Sequence, residues 1–417
     1  MLLGTPPCGT CSGNDDCASF GAGAYCLDGV CVGGDGGTND EVGEEDEESG
    51  DPDTGELPAL EAVSILLVVD NSLTMAEEQV ALTTSITTLL EPLDAAGIDW
   101  RLGVTTTDCG NHWCTQITST PENGMLVSSS CRWRINDFLS GDSVDVRDEA
   151  CLDLCSLDDY TTLLSTTEVD ANAAKRPWIE RSSGTTNVAE PLEDVLRCFV
   201  PMGVNGCGFE SQLEAAKLAF DRSDDPGDSA HGFFHPTRLP VVVFVTDEVD
   251  CSYTPEYEEI FTTNKTFWSD PAANFPTSAL CWNAGVTCTG DPSGYDSCEP
   301  VNKNVAGAEN VPDEHAVLRP LSRYDQRFGA DRAVVYGIVG VLPNGEPLYA
   351  DAPGDPDFMS GFGIGPGCFN AGAVAVPPVR IRAIAETNAP PEGRKLYSVC
   401  SGNFEPYSPT SGTRSSR

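Results

Sequence analysis

Two aspartates in this chain directly follow apolar runs. Asp70 ends the segment SILLVVD, and Ser72 and Thr74 place hydroxyl groups two and four positions after it. Asp247 ends a second apolar run, LPVVVFVTD. Two carboxylates and two hydroxyls form an all-oxygen ligand set, which suits a divalent cation such as Mg2+, Ca2+ or Mn2+. The spacing is equally compatible with two aspartates that only end strands or cap helices.

The elements that must position these residues alternate between strand and helix. The run ILLVV before Asp70 is short and continuously apolar, as expected for a strand that is covered on both faces. The segment after Thr74 has apolar residues at helical spacing, acidic residues at its start and Gly97 at its end, which predicts an amphipathic helix. The predicted strands are residues 65–69, 101–106, 239–248 and 333–341, and the predicted helices are residues 77–96 and 211–220.

This alternation predicts an α/β fold with an open, mostly parallel, doubly wound (Rossmann-like) sheet. In such a sheet, ligands bind outside the carboxyl ends of the strands. If the strands that end at Asp70 and Asp247 are neighbours, their carboxylates meet at one edge of the sheet.

Charge and cysteine content restrict the class of protein. The 65 acidic residues outnumber the 23 basic ones, for a formal net charge of -42, so nucleic acid and anionic membranes are unfavourable partners. The 18 cysteines are scattered along the chain, which predicts disulfides and an extracytoplasmic location, in the cell envelope, on the outer surface or secreted. No signal peptide is readable at the N-terminus, so we expect the true start to lie upstream, and no apolar run is long enough to span a bilayer.

Composition predicts four regions. Residues 1–33 form a small cysteine-rich module, for which disulfides are the first interpretation and a zinc knuckle the alternative. Residues 34–58 are rich in Gly, Asp and Glu and predict a disordered acidic linker. The α/β domain spans residues 59–400, with disulfide-bearing insertions at about 108–198 and 251–312, and residues 401–417 form a polar tail.

Four cysteines lie near the candidate site in sequence. Cys198 and Cys207 flank FVPMGVNG and are candidates for a local disulfide that would brace the following loop. Cys109 and Cys114, in CGNHWC, predict either one mutual disulfide or two separate disulfides, with metal binding as the alternative.

The segment from Asp70 to Thr74, DNSLT, resembles the D-x-S-x-S motif of the von Willebrand factor type A (vWA) domain, and VVVFVTDE is similar to the later strand of that family that ends in a metal-site aspartate. The resemblance covers roughly residues 60–400, insertions aside. GCGFESQLEAA and VTDEVDCS also resemble segments of large cysteine-rich vWA proteins that bacteria export, often as lipoproteins. The resemblance implies that Asp70, Ser72, Thr74 and Asp247 hold a divalent cation, whose open coordination position takes a carboxylate from a partner protein.

One departure from the family concerns a threonine ligand in the loop before the helix that precedes the TD strand. Here that loop reads NGCGFESQL, with Cys207 near the expected place. Glu210 is one candidate source of the missing oxygen, and Thr185 or Thr186 is another. Without a replacement, the cation site would be vestigial and the chain a structural protein of the cell envelope.

The expected function is protein binding. An enzymatic function has weaker support from the sequence. A haloacid-dehalogenase-like phosphatase would use Asp70 as its nucleophile and would need a second aspartate two residues later to protonate the leaving group. Ser72 stands at that position.

Overall fold

The structure is a computed structural model that describes residues 61–114, 120–140, 144–329, 332–370, 372–387, 393–402 and 404, and the backbone of residues 25–27 and 30–32. The chain divides into two compact units, Met1–Pro58 and Ala59–Arg417. In the first unit, strands β1 (Tyr25–Leu27) and β2 (Val30–Val32) pair antiparallel. The predicted acidic linker, most of the predicted cysteine-rich module and most of the predicted tail lie outside the described residues.

The second unit alternates strands with helices. Its elements in chain order are β3 (Ala62–Val69), α1 (Ala76–Ala96), β4 (Asp99–Thr106), β5 (Leu139–Ser140), β6 (Val144–Asp145), β7 (Leu164–Ser165), β8 (Ala174–Lys175), β9 (Ile179–Ser182), β10 (Thr185–Thr186), α2 (Leu192–Phe199), α3 (Gln212–Asp224), β11 (Leu239–Val245), α4 (Ala279–Gly285), β12 (Val286–Asp291), β13 (Gly294–Pro300), α5 (Ser322–Phe328), β14 (Val334–Val339), α6 (Pro356–Phe362), β15 (Cys368–Asn370), β16 (Ala373–Ala375), α7 (Val379–Thr387) and β17 (Leu396–Ser398). Short turns of 3-10 or π type occupy Ile135–Phe138, Asp148–Leu152, Pro255–Phe261 and Asp313–His315.

Seven of these strands form one sheet in the order β10-β9-β4-β3-β11-β14-β17. Strands β4, β3, β11, β14 and β17 run parallel, whereas β9 and β10 extend the β4 edge as antiparallel strands. When the short edge strand β10 is left out and the other six strands are numbered along the chain, the order from β9 to β17 is 3-2-1-4-5-6, which is the doubly wound order. The prediction of an α/β fold with an open, mostly parallel sheet is therefore confirmed.

The two faces of the sheet carry separate cores, because successive side chains of a strand point to opposite sides. In β3, Val63, Leu67 and Val69 pack with α1 and α2. Leu66 and Val68 point the other way and pack with α3, α5 and α7. The predicted helix after Thr74 is α1, and it ends at Gly97, whose φ of 69° is the left-handed conformation that glycine adopts without strain.

Six disulfides join the described cysteines: Cys114–Cys207, Cys131–Cys151, Cys155–Cys198, Cys251–Cys281, Cys288–Cys298 and Cys368–Cys400. So many disulfides indicate an oxidising, extracytoplasmic environment. No helix in the described ranges combines the length and the apolar character needed to cross a bilayer.

The predicted Cys198–Cys207 disulfide is wrong. Cys198 lies in the last turn of α2, inside the core of the first insertion, and pairs with Cys155 there. Cys207 lies in the loop before α3 and pairs with Cys114. A mutual Cys109–Cys114 disulfide is also wrong, and Cys109 has no disulfide partner among the described cysteines. Proximity in sequence failed as a guide because these partners come from loops that only the folded sheet brings together.

Candidate metal centre

The sheet places the first two candidate ligands side by side. Asp70 follows β3 and Asp247 lies two residues after β11, and these two strands are neighbours at the point where the strand order reverses direction. The Asp70 backbone N–H donates a hydrogen bond to the carbonyl of Val245 at 2.9 Å. Both carboxyl groups are buried, with 0% and 3% of the residue exposed. They therefore occupy the topological switch point, where ligands of doubly wound sheets bind.

Hydroxyl groups surround the two carboxyls. One oxygen of Asp70 accepts a hydrogen bond from the Ser72 backbone N–H at 2.8 Å, and its other oxygen accepts one from the Thr246 hydroxyl at 2.6 Å. The Ser72 and Thr74 hydroxyls lie 3.5 Å apart. Ser72 is buried, whereas Thr74 is exposed and its hydroxyl lies against the carboxyl of Asp247. The structure thus brings together the four residues that the sequence singled out, with Thr74 on the solvent side.

Two more carboxyl groups border the same space. Glu210, in the loop before α3, is 1% exposed, and Glu248 directly follows Asp247 and is also buried. Their carboxyls share a hydrogen bond, and the charge of Asp70 raises the pKa of each. Sequence reasoning named Glu210 but missed Glu248, although its position next to Asp247 in TDE was a visible signal.

Thr185 and Thr186 are wrong as candidate ligands. They form β10, which β9 and β4 separate from β3. Three strand spacings correspond to about 14 Å, so neither hydroxyl reaches the switch point.

Burial and mutual repulsion disturb the ionisation of these groups. Burial raises the pKa of Asp70. Burial, and then the neighbouring carboxyls, hold the pKa values of Glu210 and Asp247 well above their ordinary range. Burial, followed by the charge of Asp70, raises the pKa of Glu248 to about 7. For these four groups, the charged neighbours that act on the pKa are all carboxyls.

Three oxygens in this cluster are buried without a hydrogen-bond partner: Oδ1 of Asp247, Oε1 of Glu210 and Oε2 of Glu248. A buried acceptor without a partner is costly, and a buried charge without a counter-charge is more so. A bound cation would satisfy these oxygens and offset the repulsion. The atoms available to bind a cation are all hard oxygens, which fit Mg2+, Ca2+ or Mn2+ better than softer metals.

The carboxyl groups do not make a metal centre by themselves. Over the residues that the structure describes, no group of three or more His, Cys, Asp or Glu side chains could hold a metal ion. A cation at the switch point would therefore depend on hydroxyl ligands, Ser72 and Thr74, beside the carboxylates of Asp70 and Asp247.

Gln79 of α1 holds the Asp70 turn in place. Its side-chain amide donates to the carbonyl of Asp70 at 2.9 Å and to the carbonyl of Gly203 at 2.6 Å. Its amide oxygen accepts from the backbone N–H groups of Met202 and Gly203 at 2.8 and 3.0 Å. One buried side chain thus joins the first site loop to the segment that leads to Glu210.

The backbone of the loop before α3 also lies close to the backbone of the turn after Asp70. The Gly206 N–H donates to the carbonyl of Asn71 at 2.7 Å. A Cβ at position 206 would lie 2.1 Å from Oδ1 of Asn71, so any other residue there would have to displace the Asn71 side chain. The Cys114–Cys207 disulfide then anchors the same loop just before Glu210.

Comparison with protein-family models, curated proteins and solved structures finds no match for this chain.

Proposed function

We propose that this chain is a divalent-cation-dependent protein-binding module of the vWA type that works in the bacterial cell envelope or as a secreted protein. The observation that carries the proposal is the cluster at the switch point, where four buried carboxyl groups have three oxygens without partners. The six disulfides support the extracytoplasmic setting.

In this proposal, Asp70, Ser72, Thr74 and Asp247 bind the cation, directly or through water, and Glu210 contributes an oxygen only through a bridging water. The bound cation supplies an open coordination position that takes a carboxylate of the partner protein. The exposed Thr74 lies on the side from which the partner would approach. The loop that follows Asp70 is already held in place before a partner binds, because the hydrogen bonds of Gln79 and of the Asp70 carboxyl fix it.

Titration of the purified protein with Mg2+, Ca2+ and Mn2+ tests the site. Calorimetry should detect one site per chain, and saturation at about 100 times the Kd should stabilise the fold by about 2.7 kcal/mol. Asp70→Ala should abolish both effects. Glu77→Gln is the matched control, because it removes one exposed negative charge nearby on α1 and should leave cation binding unchanged.

The two alternative functions predict different results. If the wild-type protein binds none of the three cations, the adhesion mechanism is wrong and the chain is a structural envelope protein with a vestigial site. If it hydrolyses an aryl phosphate and Asp70→Ala loses that activity, Asp70 is a phosphatase nucleophile. Ser72 disfavours this outcome, since it stands where the proton donor would be needed.

A further inference from the structure

Among the described residues, no helix or strand covers part of the α1 side of the sheet. Strands of a parallel sheet are normally covered on both faces. Helices α3, α5 and α7 cover β11 and β14 on one face. On the other face, α1 and α2 pack over β3 and β4, and Val241, Val243 and Tyr336 remain only half-buried.

A cavity of about 530 Å³ lies at this uncovered part, between α1 and strands β3, β11 and β14. Its walls are mostly aliphatic, with Ile65, Leu89 and Val243 as representative members, and Phe404 also lines it. The volume is in the range of small-molecule sites, which are also mainly apolar with a few placed polar groups.

The charged group in the cavity wall is Arg394. Its Nε–H donates to the carbonyl of Leu396 at 2.7 Å, and its guanidinium lies 4.8 Å from the centre of the Tyr397 ring. These contacts leave its other N–H groups free of a carboxylate among the described residues. In a chain with 65 acidic and 23 basic residues, a cation without an acidic partner beside an apolar cavity suits an external carboxylate.

We infer that this cavity binds one long-chain fatty acid, with its alkyl chain along the aliphatic walls and its carboxylate at Arg394. The inference does not depend on the cation site, which lies at the carboxyl ends of the strands.

The polar tail and the acidic segment are poor sources of a filler from within the chain. The residues that follow Phe404, EPYSPTSGTRSSR, contain one aromatic and no aliphatic side chain, and the acidic segment at residues 35–56 contains Val42 as its one aliphatic residue. A second copy of the chain would bring another net charge of -42 against the first, which opposes close association.

Displacement of a fluorescent fatty acid, cis-parinaric acid, tests the inference on the whole chain in the presence of EDTA. Palmitate should displace the probe with one site per chain. Val243→Trp should fill the cavity and abolish binding. Arg394→Gln should weaken palmitate roughly tenfold, as expected for about 1.4 kcal/mol from one charge-assisted hydrogen bond, and should leave hexadecanol unchanged. Arg332→Gln, at an exposed cation outside the cavity, is the matched control and should bind palmitate normally.

Three results would overturn the inference. The first is the absence of saturable binding by the wild-type protein. The second is equal palmitate binding by wild type, Val243→Trp and Arg394→Gln, with circular dichroism showing folded variants. The third is a dimer, by sedimentation, that Val243→Trp disperses and palmitate does not affect, because a second copy would then occupy the cavity.

Discussion

Replacing Glu248 by Gln should make the metal-free protein more stable at alkaline pH. Burial raises the pKa of Glu248 from 4.5 to about 7. Each pKa unit corresponds to about 1.4 kcal/mol, so charging this group costs about 3 kcal/mol more in the folded protein than in the unfolded chain. Gln keeps the shape of the side chain, removes the charge and can donate a hydrogen bond to Glu210.

The sign of the pH effect follows from the raised pKa. The folded protein holds the Glu248 proton more tightly than the unfolded chain does. The stability that this difference contributes is fully present below the unfolded pKa of 4.5, and it is lost as pH rises through about 7. Wild type should therefore lose about 3 kcal/mol over this window through Glu248, and the variant should not. At about pH 8 the variant should unfold at higher urea concentration, whereas at about pH 4.5 the two should unfold alike.

The assay is urea unfolding followed by tryptophan fluorescence, in EDTA, at both pH values. Glu77→Gln is the control, since it removes an exposed charge and should change stability by less than about 0.5 kcal/mol. Saturating Mg2+ should shrink the advantage of Glu248→Gln, because a bound cation offsets the repulsion that the substitution relieves. A variant equal to or less stable than wild type at about pH 8 would refute the view that Glu248 is a strained, uncompensated charge.

Three further variants test buried contacts and a disulfide of the second unit by urea unfolding. Gln79→Ala should cost about 3 kcal/mol, because four buried backbone groups lose their hydrogen-bond partner. Asp250→Asn should cost about 3 to 5 kcal/mol, because it leaves the buried Arg380 guanidinium, now 2.9 Å from the Asp250 carboxylate, without its counter-charge. Replacing Cys114 and Cys207 together by Ser should cost about 4 kcal/mol, because their disulfide closes a loop of 93 residues, and should also weaken cation binding by loosening the Glu210 loop.

Matched variants accompany these three. Thr84→Ala and Asp153→Asn alter exposed residues and should be nearly neutral. Replacing Cys288 and Cys298 by Ser opens a loop of 10 residues and should cost less, with no change in cation affinity. Losses in the test variants no larger than in their controls would contradict the assigned roles.

Local patterns were enough to predict the elements that carry the first ligands. The apolar runs before Asp70 and Asp247 became β3 and β11, and the helical spacing after Thr74 became α1, because burial of a strand or a helix face imposes its period directly on the sequence. The motif DNSLT and the rule that ligands bind at the carboxyl ends of strands then predicted four residues that the fold does bring together.

Long-range contacts decided the rest. The shared hydrogen bond of Glu210 and Glu248, the exclusion of Thr185 and the pairing of Cys207 with Cys114 all depend on which strands are neighbours. No local period encodes such distances, since residues far apart in sequence meet only after the sheet is ordered. The cavity beside Arg394 is likewise a property of the packed layers, because it lies where no helix of the described part of the chain covers the sheet. The sequence by itself thus determined the strands, the first helix and the hard-oxygen character of the site. The tertiary structure alone decided which further residues border the site, which contacts hold it in place, and that the charged neighbours of its carboxyls are other carboxyls.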